Sequence, residues 1–289
     1  MNIDLIIGII NIVLIATTPL VFAGIGELVT EKTGVLNLGV EGMMLVGAVT
    51  AFVTLVITGS YLLAFLFSII SGLLMSGLFA FLVLNLMSNQ VATGLALTIF
   101  GIGLSSMIGK EYIGTPIEGL NPYSFIILSF VIVFATSYFF YKTKIGLIFR
   151  AVGESHSSAH ALGYSVIKIR LLAILFGGAM CALAGSYMSI CYAPMWQENM
   201  TAGRGWIALA LVVFATWKPN RILIGAYIFG GVSIMQMNLQ AFGLSIPGQF
   251  FNMAPYLATM IVLVAISSNK LRIKLSSPAS LTKPFYKGR

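Results

Sequence analysis

Residues 61–84 read YLLAFLFSIISGLLMSGLFAFLVL, a run of 24 residues without a charged side chain. About 20 apolar residues in an α-helix are needed to cross the roughly 30 Å hydrocarbon core of a bilayer, so this run predicts a transmembrane helix. Eight further apolar stretches surround it, of which the seventh is short and predicts either a half-span or a helix paired with a re-entrant stretch around 193–204. The nine predicted spans are 5–25, 36–57, 61–84, 91–109, 123–141, 166–190, 205–217, 221–242 and 253–268.

The composition of the whole chain agrees with a membrane bundle. Of its 289 residues, 58% are hydrophobic and 8% are charged, whereas a soluble domain carries about 25% charged residues. Backbone groups in lipid must be satisfied within the protein, and the apolar runs are continuous rather than alternating, so helices are favoured over a barrel. We therefore predict an all-α, polytopic transmembrane bundle of about nine spans (eight to ten). The transmembrane domain covers 1–268, and a basic, irregular tail with affinity for anionic headgroups covers 269–289.

Charge predicts the orientation of these spans. Lys and Arg collect in cytoplasmic loops, and placing the tail in the cytoplasm puts 14 of the 16 basic residues on that side, leaving only Lys110 and Arg204 outside. With nine crossings the N-terminus is then external. The 14 residues are Lys32, Lys142, Lys144, Arg150, Lys168, Arg170, Lys218, Arg221, Lys270, Arg272, Lys274, Lys283, Lys287 and Arg289.

The longest internal connection, 142–165, predicts a short helix at the membrane surface. The run from Glu154 to Leu162 has helix-forming character, with an acidic residue in its first turn that the helix dipole favours. Gly163 is a suitable C-terminal stop. We expect a short amphipathic helix on the cytoplasmic face.

Two polar residues open the second predicted span. Asn37 and Glu41 lie at or inside an apolar run, and ionisable groups in a membrane usually face a bundle interior or a watery path. The alternative is that Asn37 caps a helix whose first turn carries Glu41 near the interface. The two interpretations are compatible, and both stay open at this point.

The sequence offers little support for metal or catalytic chemistry. His156 and His160 have the i, i+4 spacing of zinc ligands but no nearby third ligand, and Cys181 and Cys191 fit no metal motif. The segment Gly103–Lys110 has the wrong glycine spacing for a phosphate-binding loop. Ser-His-Asp, paired-carboxylate and Cys-His constellations are missing from the sequence. We expect a chain that is not an enzyme, holds no metal and does not hydrolyse ATP itself.

Three stretches carry a resemblance to a known family. They are TPLVFAGIGELVTEKTGVLNLGVEGMMLVGA (18–48), FRAVGE (149–154) continuing to ALGYSVIKIR (161–170), and GRGWIALALVVFATWKP (203–219). With them the chain resembles the permease subunits of ABC importers for ribose, simple sugars and nucleosides, a branched-chain-type family. It is most similar to the shorter permease of nucleoside uptake systems.

The resemblance implies a heteromeric importer in a bacterial cytoplasmic (inner) membrane. The chain would form the translocation pathway with a second permease, a cytoplasmic ABC ATPase would supply the energy, and an external substrate-binding (lipo)protein would deliver the solute. ATP and magnesium belong to the ATPase, so no cofactor is expected in this chain, and nucleic acid is not a partner. Loop 149–165 would be the coupling helix that docks in the ATPase. The coupling residues implied are Arg150, Gly153, Glu154, Ala159 and Gly163.

Polar side chains in the apolar spans are the candidates for the border of the pathway, because a neutral solute needs few charges. The solute could be a purine or pyrimidine nucleoside, ribose or a related sugar. A stand-alone secondary transporter or channel for a small neutral solute is the alternative function. The candidate pathway residues are Asn37, Glu41, Thr93, Thr98, Gln236 and Asn238.

Overall fold

The computed structural model describes residues 3–241 and 277–286, together with single helical positions at 253, 257, 260, 261 and 264. Short π-helical turns, Phe81–Asn85 and Met188–Tyr192, extend the third and eighth helices, and a 3₁₀ turn, Lys110–Tyr112, extends the fourth. The α-helices of the described part are α1 (Ile3–Glu31), α2 (Val40–Thr58), α3 (Tyr61–Ala80), α4 (Gln90–Gly109), α5 (Tyr123–Lys142), α6 (Lys144–Glu154), α7 (His156–Ala161), α8 (Val166–Tyr187), α9 (Arg204–Phe214) and α10 (Pro219–Ala241).

Six helices of the described part are long and apolar enough to cross a membrane, and they coincide with the first six predicted spans. The all-helical, polytopic fold class is therefore confirmed. Helix α10 lies where the eighth span was predicted, and the ninth predicted span lies outside the described residues apart from five helical positions. The six spans are Ile7–Glu31, Val40–Thr58, Tyr61–Asn85, Gln90–Tyr112, Tyr123–Lys142 and Val166–Tyr192.

The seventh predicted span is a half-length helix. Helix α9 has 11 residues, and at about 1.5 Å per residue it is about 16 Å long, half of what a crossing needs. Residues 193–203, which lead into it, are not helical. The backbone of this stretch and of the end of α8 bonds to the α4–α5 connection, with the Ile117 N–H donating to the Pro194 carbonyl at 3.4 Å and the Leu120 N–H to the Ile190 carbonyl at 3.2 Å.

The connection between α1 and α2 also runs inside the bundle. It lies along the N-terminal half of α4, whereas residues 193–203 lie beside the α4–α5 connection at the other end of that helix. The Leu36 N–H donates to Oε1 of Gln90 at 2.9 Å, and the Thr98 hydroxyl donates to the Leu38 carbonyl at 2.8 Å. Eight residues of helix separate Gln90 from Thr98, a rise of about 12 Å. Helix α2 therefore begins at Val40 well inside the bundle, later than the predicted residue 36.

Helix α8 lies at the centre of the bundle, packed against α1, α2 and α3. Small residues permit the close approach, and α8 carries a buried stripe of them at i, i+4 spacing: Ala173, Gly177, Cys181 and Gly185. A Cβ atom on Gly185 would lie 1.9 Å from the Met44 carbonyl oxygen, so the backbones of α2 and α8 are in direct contact there.

The described part of the C-terminal tail is irregular, without helix or strand, and it packs against the protein. Residues 277–286 fold back onto α6 and α7, and Ser280 is buried. The end of the bundle that carries α6, α7 and this segment is called the α6–α7 face below.

The α2–α8 contact predicts a large effect of one methyl group. We expect Gly185→Ala to lower the free energy of unfolding by about 1–3 kcal/mol, because the added atom collides with backbone rather than with a flexible side chain. The thermal unfolding midpoint of the protein in detergent measures this. Gly103→Ala on α4 is the matched control, since nothing lies within 4 Å of its Cβ position, and an equal midpoint shift in the two variants would contradict the prediction.

Candidate functional site

Glu41 joins the two helices that begin inside the bundle. It lies in the first turn of α2 and its side chain is 3% exposed. Oε1 accepts hydrogen bonds from the Thr201 hydroxyl and, at 2.8 Å, from the Gly203 N–H, and Oε2 accepts one from the Gly205 N–H at 2.6 Å. The carboxylate therefore caps the N-terminus of α9.

This contact forms because the first backbone N–H groups of a helix need hydrogen-bond acceptors from outside the helix. The first N–H groups of a helix have no partner within it, and the helix dipole places partial positive charge there. Thr201 and Gly205 are buried, so a buried carboxylate is a suitable acceptor for their donors. Glu41 sits at the N-terminal ends of both α2 and α9, and discontinuous helices of this kind line the transport sites of many carriers.

Asn37 and Thr98 support the same region. The Asn37 side-chain oxygen accepts a hydrogen bond from the Gly39 N–H at 2.9 Å. The Asn37 backbone N–H donates to Oε1 of Glu27 at 2.9 Å. Thr98 holds the carbonyl of Leu38. The structure thus brings three of the six candidate pathway residues, Asn37, Glu41 and Thr98, together around the turn that precedes α2.

The other three candidates lie elsewhere. The Thr93 hydroxyl is 2.8 Å from the Ser88 hydroxyl, and Thr93 lines a separate, largely apolar cavity of about 420 Å³ beside Leu82 and Phe100. Gln236 and Asn238 belong to α10, but their side chains lie outside the described residues.

Sequence reasoning missed the partners of these residues. Glu27 and Glu31 were placed in a loop after residue 25, but α1 continues to Glu31 and both side chains are buried. The span end predicted at residue 25 is therefore wrong, because each carboxylate has a donor inside the fold: the Asn37 N–H for Glu27 and the Trp217 indole N–H for Glu31. Thr201 was also missed, although its position just before the glycine-rich start of a short apolar helix was a signal.

The predicted surface helix is present with a later start. Ser155 has an extended backbone, and its hydroxyl accepts a hydrogen bond from the Ser158 N–H at 3.2 Å, so Ser155 is the N-cap of α7. Glu154 is instead the exposed last residue of α6, and the prediction that it begins the helix is wrong. Gly163, at φ +88°, ends α7 as predicted, with its N–H donating to the His160 carbonyl at 2.9 Å.

The five implied coupling residues lie together at the α6–α7 face. Ala159 is buried in a cluster with Val152 and Val166. A Cβ atom on Gly153 would lie 2.0 Å from the Lys32 carbonyl oxygen, so α6 rests directly on the end of α1.

Arg150 and Glu154 border a cleft at the same face. The Arg150 guanidinium lies 5.2 Å from the centre of the Tyr141 ring. Arg150, Glu154, Lys32 and Lys218 line a cleft of about 350 Å³. Burial lowers the pKa of Lys32, with the nearby positive charges of Arg150 and Lys218 acting in the same direction and Glu154 opposing them.

The residues that the structure describes contain no group of three or more His, Cys, Asp or Glu side chains that could hold a metal ion. His156 and His160 instead pack against the Phe285 ring, with ring centres 5.5 and 5.2 Å apart respectively.

Comparisons with known proteins place these features in a family context. The model of the family described as "Branched-chain amino acid transport system / permease component" matches residues 9–266. The chain is 36% identical to the putative glucose ABC transporter permease protein TsgC13 of Haloferax volcanii, over 96% of this chain and 97% of that protein. No solved structure gives a significant match.

Two further relatives are also similar over most of their length. The guanosine ABC transporter permease protein NupQ of Bacillus subtilis is 28% identical over 98% of this chain and 99% of its own. The nucleoside ABC transporter permease protein NupC of Lactococcus lactis is 29% identical over 86% of this chain and 89% of its own.

The cap on α9 predicts a strong dependence on one carboxylate. We expect Glu41→Ala to lower the free energy of unfolding by about 3 kcal/mol, because it leaves three donors, two of them buried, without their acceptor. Glu41→Gln should fall between it and the native protein, since an amide keeps one acceptor oxygen. The thermal midpoint in detergent is the measurement. Glu111→Ala, at an exposed acid, is the control, and equal midpoints for Glu41→Ala and Glu111→Ala would rule out the capping role.

Proposed function

Because the chain belongs to the family of branched-chain amino acid transport system permease components, we propose that it imports nucleosides or related simple sugars, forming the pathway with a second permease. It is the multi-pass membrane component of an ABC importer and not the catalytic subunit. The observation that carries the substrate class is full-length similarity to relatives named for glucose, guanosine and nucleosides. A neutral, polyhydroxylated ring is common to these solutes.

The described spans suit an uncharged solute. Their buried ionisable groups, Glu27, Glu31, Glu41 and Arg170, all make hydrogen bonds to protein groups. Ionisable side chains engaged in this way stabilise the fold and leave a passage that does not require a charged cargo. This supports a nucleoside or sugar over an ionic solute.

The orientation proposed from charge agrees with where the basic side chains lie. One cleft at the α6–α7 face is lined by Lys32, Arg150 and Lys218. Lys110 lies away from this face, at the C-terminal end of α4. We place the α6–α7 face and the C-terminus in the cytoplasm and the N-terminus outside, in a bacterial cytoplasmic membrane.

The α6–α7 face is then the docking surface for the ATPase. Helix α7 lies at the surface of the bundle, with most of its side chains exposed. Leu162, the residue that directly follows it, is 76% exposed. Tyr164 is exposed beside it. An apolar and an aromatic side chain at the tip of a short helix suit insertion into a partner's groove. ATP and magnesium act on that partner, and an external binding protein delivers the solute at the opposite face.

We propose that the six candidate residues border the pathway and that they do so in two different ways. Asn37, Glu41 and Thr98 shape the passage by holding the starts of α2 and α9, while Thr93 borders a cavity directly. Gln236 and Asn238 complete the proposed border from α10. Alanine at all six positions with unchanged uptake would refute this assignment.

Reconstitution separates an ABC permease subunit from a stand-alone carrier. The chain is placed in vesicles with the second permease, the ATPase and the binding protein of the proposed importer. We expect ATP-dependent uptake of labelled guanosine or glucose by the full complex and none by this chain alone. Uptake by the chain alone would overturn the proposed function in favour of a secondary transporter or channel.

The C-terminal end of α7 provides a sharper prediction. Gly163→Pro removes the N–H that bonds to the His160 carbonyl, and a proline cannot adopt φ +88°. The backbone turn that ends α7 is therefore disrupted. We expect uptake to fall by at least about tenfold while the complex still assembles, in line with a local barrier change of about 1.4 kcal/mol.

A matched control is available at the end of α2. Gly59 has φ +66° and its N–H donates to the Leu55 carbonyl at 2.8 Å, so Gly59→Pro brings the same local strain far from α7. Uptake by the complex that carries Gly59→Pro should stay near the native value. Wild-type uptake in Gly163→Pro would show that α7 does not couple the ATPase to transport.

A further inference from the structure

The C-terminal segment 278–286, called the strap below, is anchored to the end of α6. Ser280 is 3% exposed, and its N–H donates to the Gly153 carbonyl at 2.9 Å. Its hydroxyl donates to the Val152 carbonyl at 2.9 Å and also lies against the Gly153 carbonyl. The last carbonyls of a helix have no partner within it, so the strap satisfies groups that α6 leaves open.

A buried arginine ties the strap to the end of α1. Arg170, in the first turns of α8, donates from Nε to the Thr33 carbonyl and from Nη1 to the Lys283 carbonyl, both at 3.1 Å. One guanidinium therefore connects three segments that are far apart in sequence. Because its stem is buried and its donors point in fixed directions, this joint holds the strap in one position relative to α1 and α8.

The end of the strap covers α7. Phe285 packs edge-on against the rings of His156 and His160 and joins the apolar cluster around Ala159 and Val166. Burial, together with the positive charges of Arg170 and Lys283, lowers the pKa of His156, which favours the neutral imidazole. A neutral ring suits packing against phenylalanine.

Helix α7 needs such support because it is short. It has six residues, and helices of this length are unstable unless tertiary contacts hold them. Ala159 is its one buried side chain, while Ser157, Ser158 and Ala161 are exposed. The strap supplies the aromatic surface that pins the two histidines.

We propose that Ser280 and Phe285 are positioning residues for energy coupling: the strap locks α6, α7 and the end of α1 into one body. This rests on the proposed function. A push on α7 by the ATPase is then transmitted to α1 and α8, instead of being absorbed by bending of the loop around Ser155. The strap thereby becomes part of the path along which the movement of α7 reaches α1 and α8.

Coupling is tested in the reconstituted four-component complex by measuring uptake and ATP hydrolysis together. We expect Phe285→Ala to reduce the solute imported per ATP hydrolysed by about fivefold or more, with recovery of the complex unchanged. Ser280→Ala should act in the same direction. Phe285→Leu, which keeps an apolar cover on α7, should restore most of the ratio.

Tyr286→Ala is the matched control. It removes a neighbouring aromatic ring of similar size that is exposed, so the ratio should stay at the native value. A native ratio in Phe285→Ala would overturn the proposal. A loss of assembled complex in both Phe285→Ala and Ser280→Ala, with a native ratio in what remains, would also overturn it, since the strap would then serve only folding.

Backbone amide exchange provides a second measurement that does not depend on transport. In the assembled complex, Phe285→Ala should raise exchange across residues 156–161 and leave α2 unaffected, and unchanged exchange there would contradict the proposal. If the native complex itself shows no ATP-driven uptake, the proposed function fails. If it transports normally and Phe285→Ala does as well, only the strap proposal fails.

Discussion

The buried carboxylate of Glu41 is the interaction on which the interior of this bundle depends. Helix α9 begins inside the protein, where its first N–H groups have no partner within the helix. Glu41 accepts from Gly203, Gly205 and Thr201 and so removes a cost of several kcal/mol for unsatisfied donors. In return, those donors and the helix dipole stabilise a charge that an apolar interior would otherwise exclude.

Glu41 can act in this way only because two interruptions of the helices meet beside it. Residues 32–39 enter along the start of α4 and are held by Gln90 and Thr98. Residues 193–203 enter from the other end, where the α4–α5 connection bonds to their backbone. Each interruption provides polar backbone in the middle of an apolar bundle, which is where a transported polar solute would need it.

Contiguous contacts connect this interior to the α6–α7 face. Phe285 contacts α7, Arg170 joins the strap to Thr33, and the short turn from Thr33 to Asn37 leads to the start of α2. The end of α1 also bonds to the α9–α10 connection through Glu31 and Trp217. A displacement of α7 therefore meets packed groups all the way to Glu41, which is the mechanical requirement for coupling.

The sequence by itself determined the helical membrane class, the first six spans, the half-length of α9 and the stop at Gly163. Runs of apolar residues and a glycine after a helix act locally, so they can be recognised without knowing what lies nearby. Only the tertiary structure decided that Glu41 caps α9, that Glu31 bonds to Trp217 and that Ser280 holds the end of α6. Each of these pairs joins residues more than 120 positions apart, and the partner of a buried polar group depends on which segments the fold brings together.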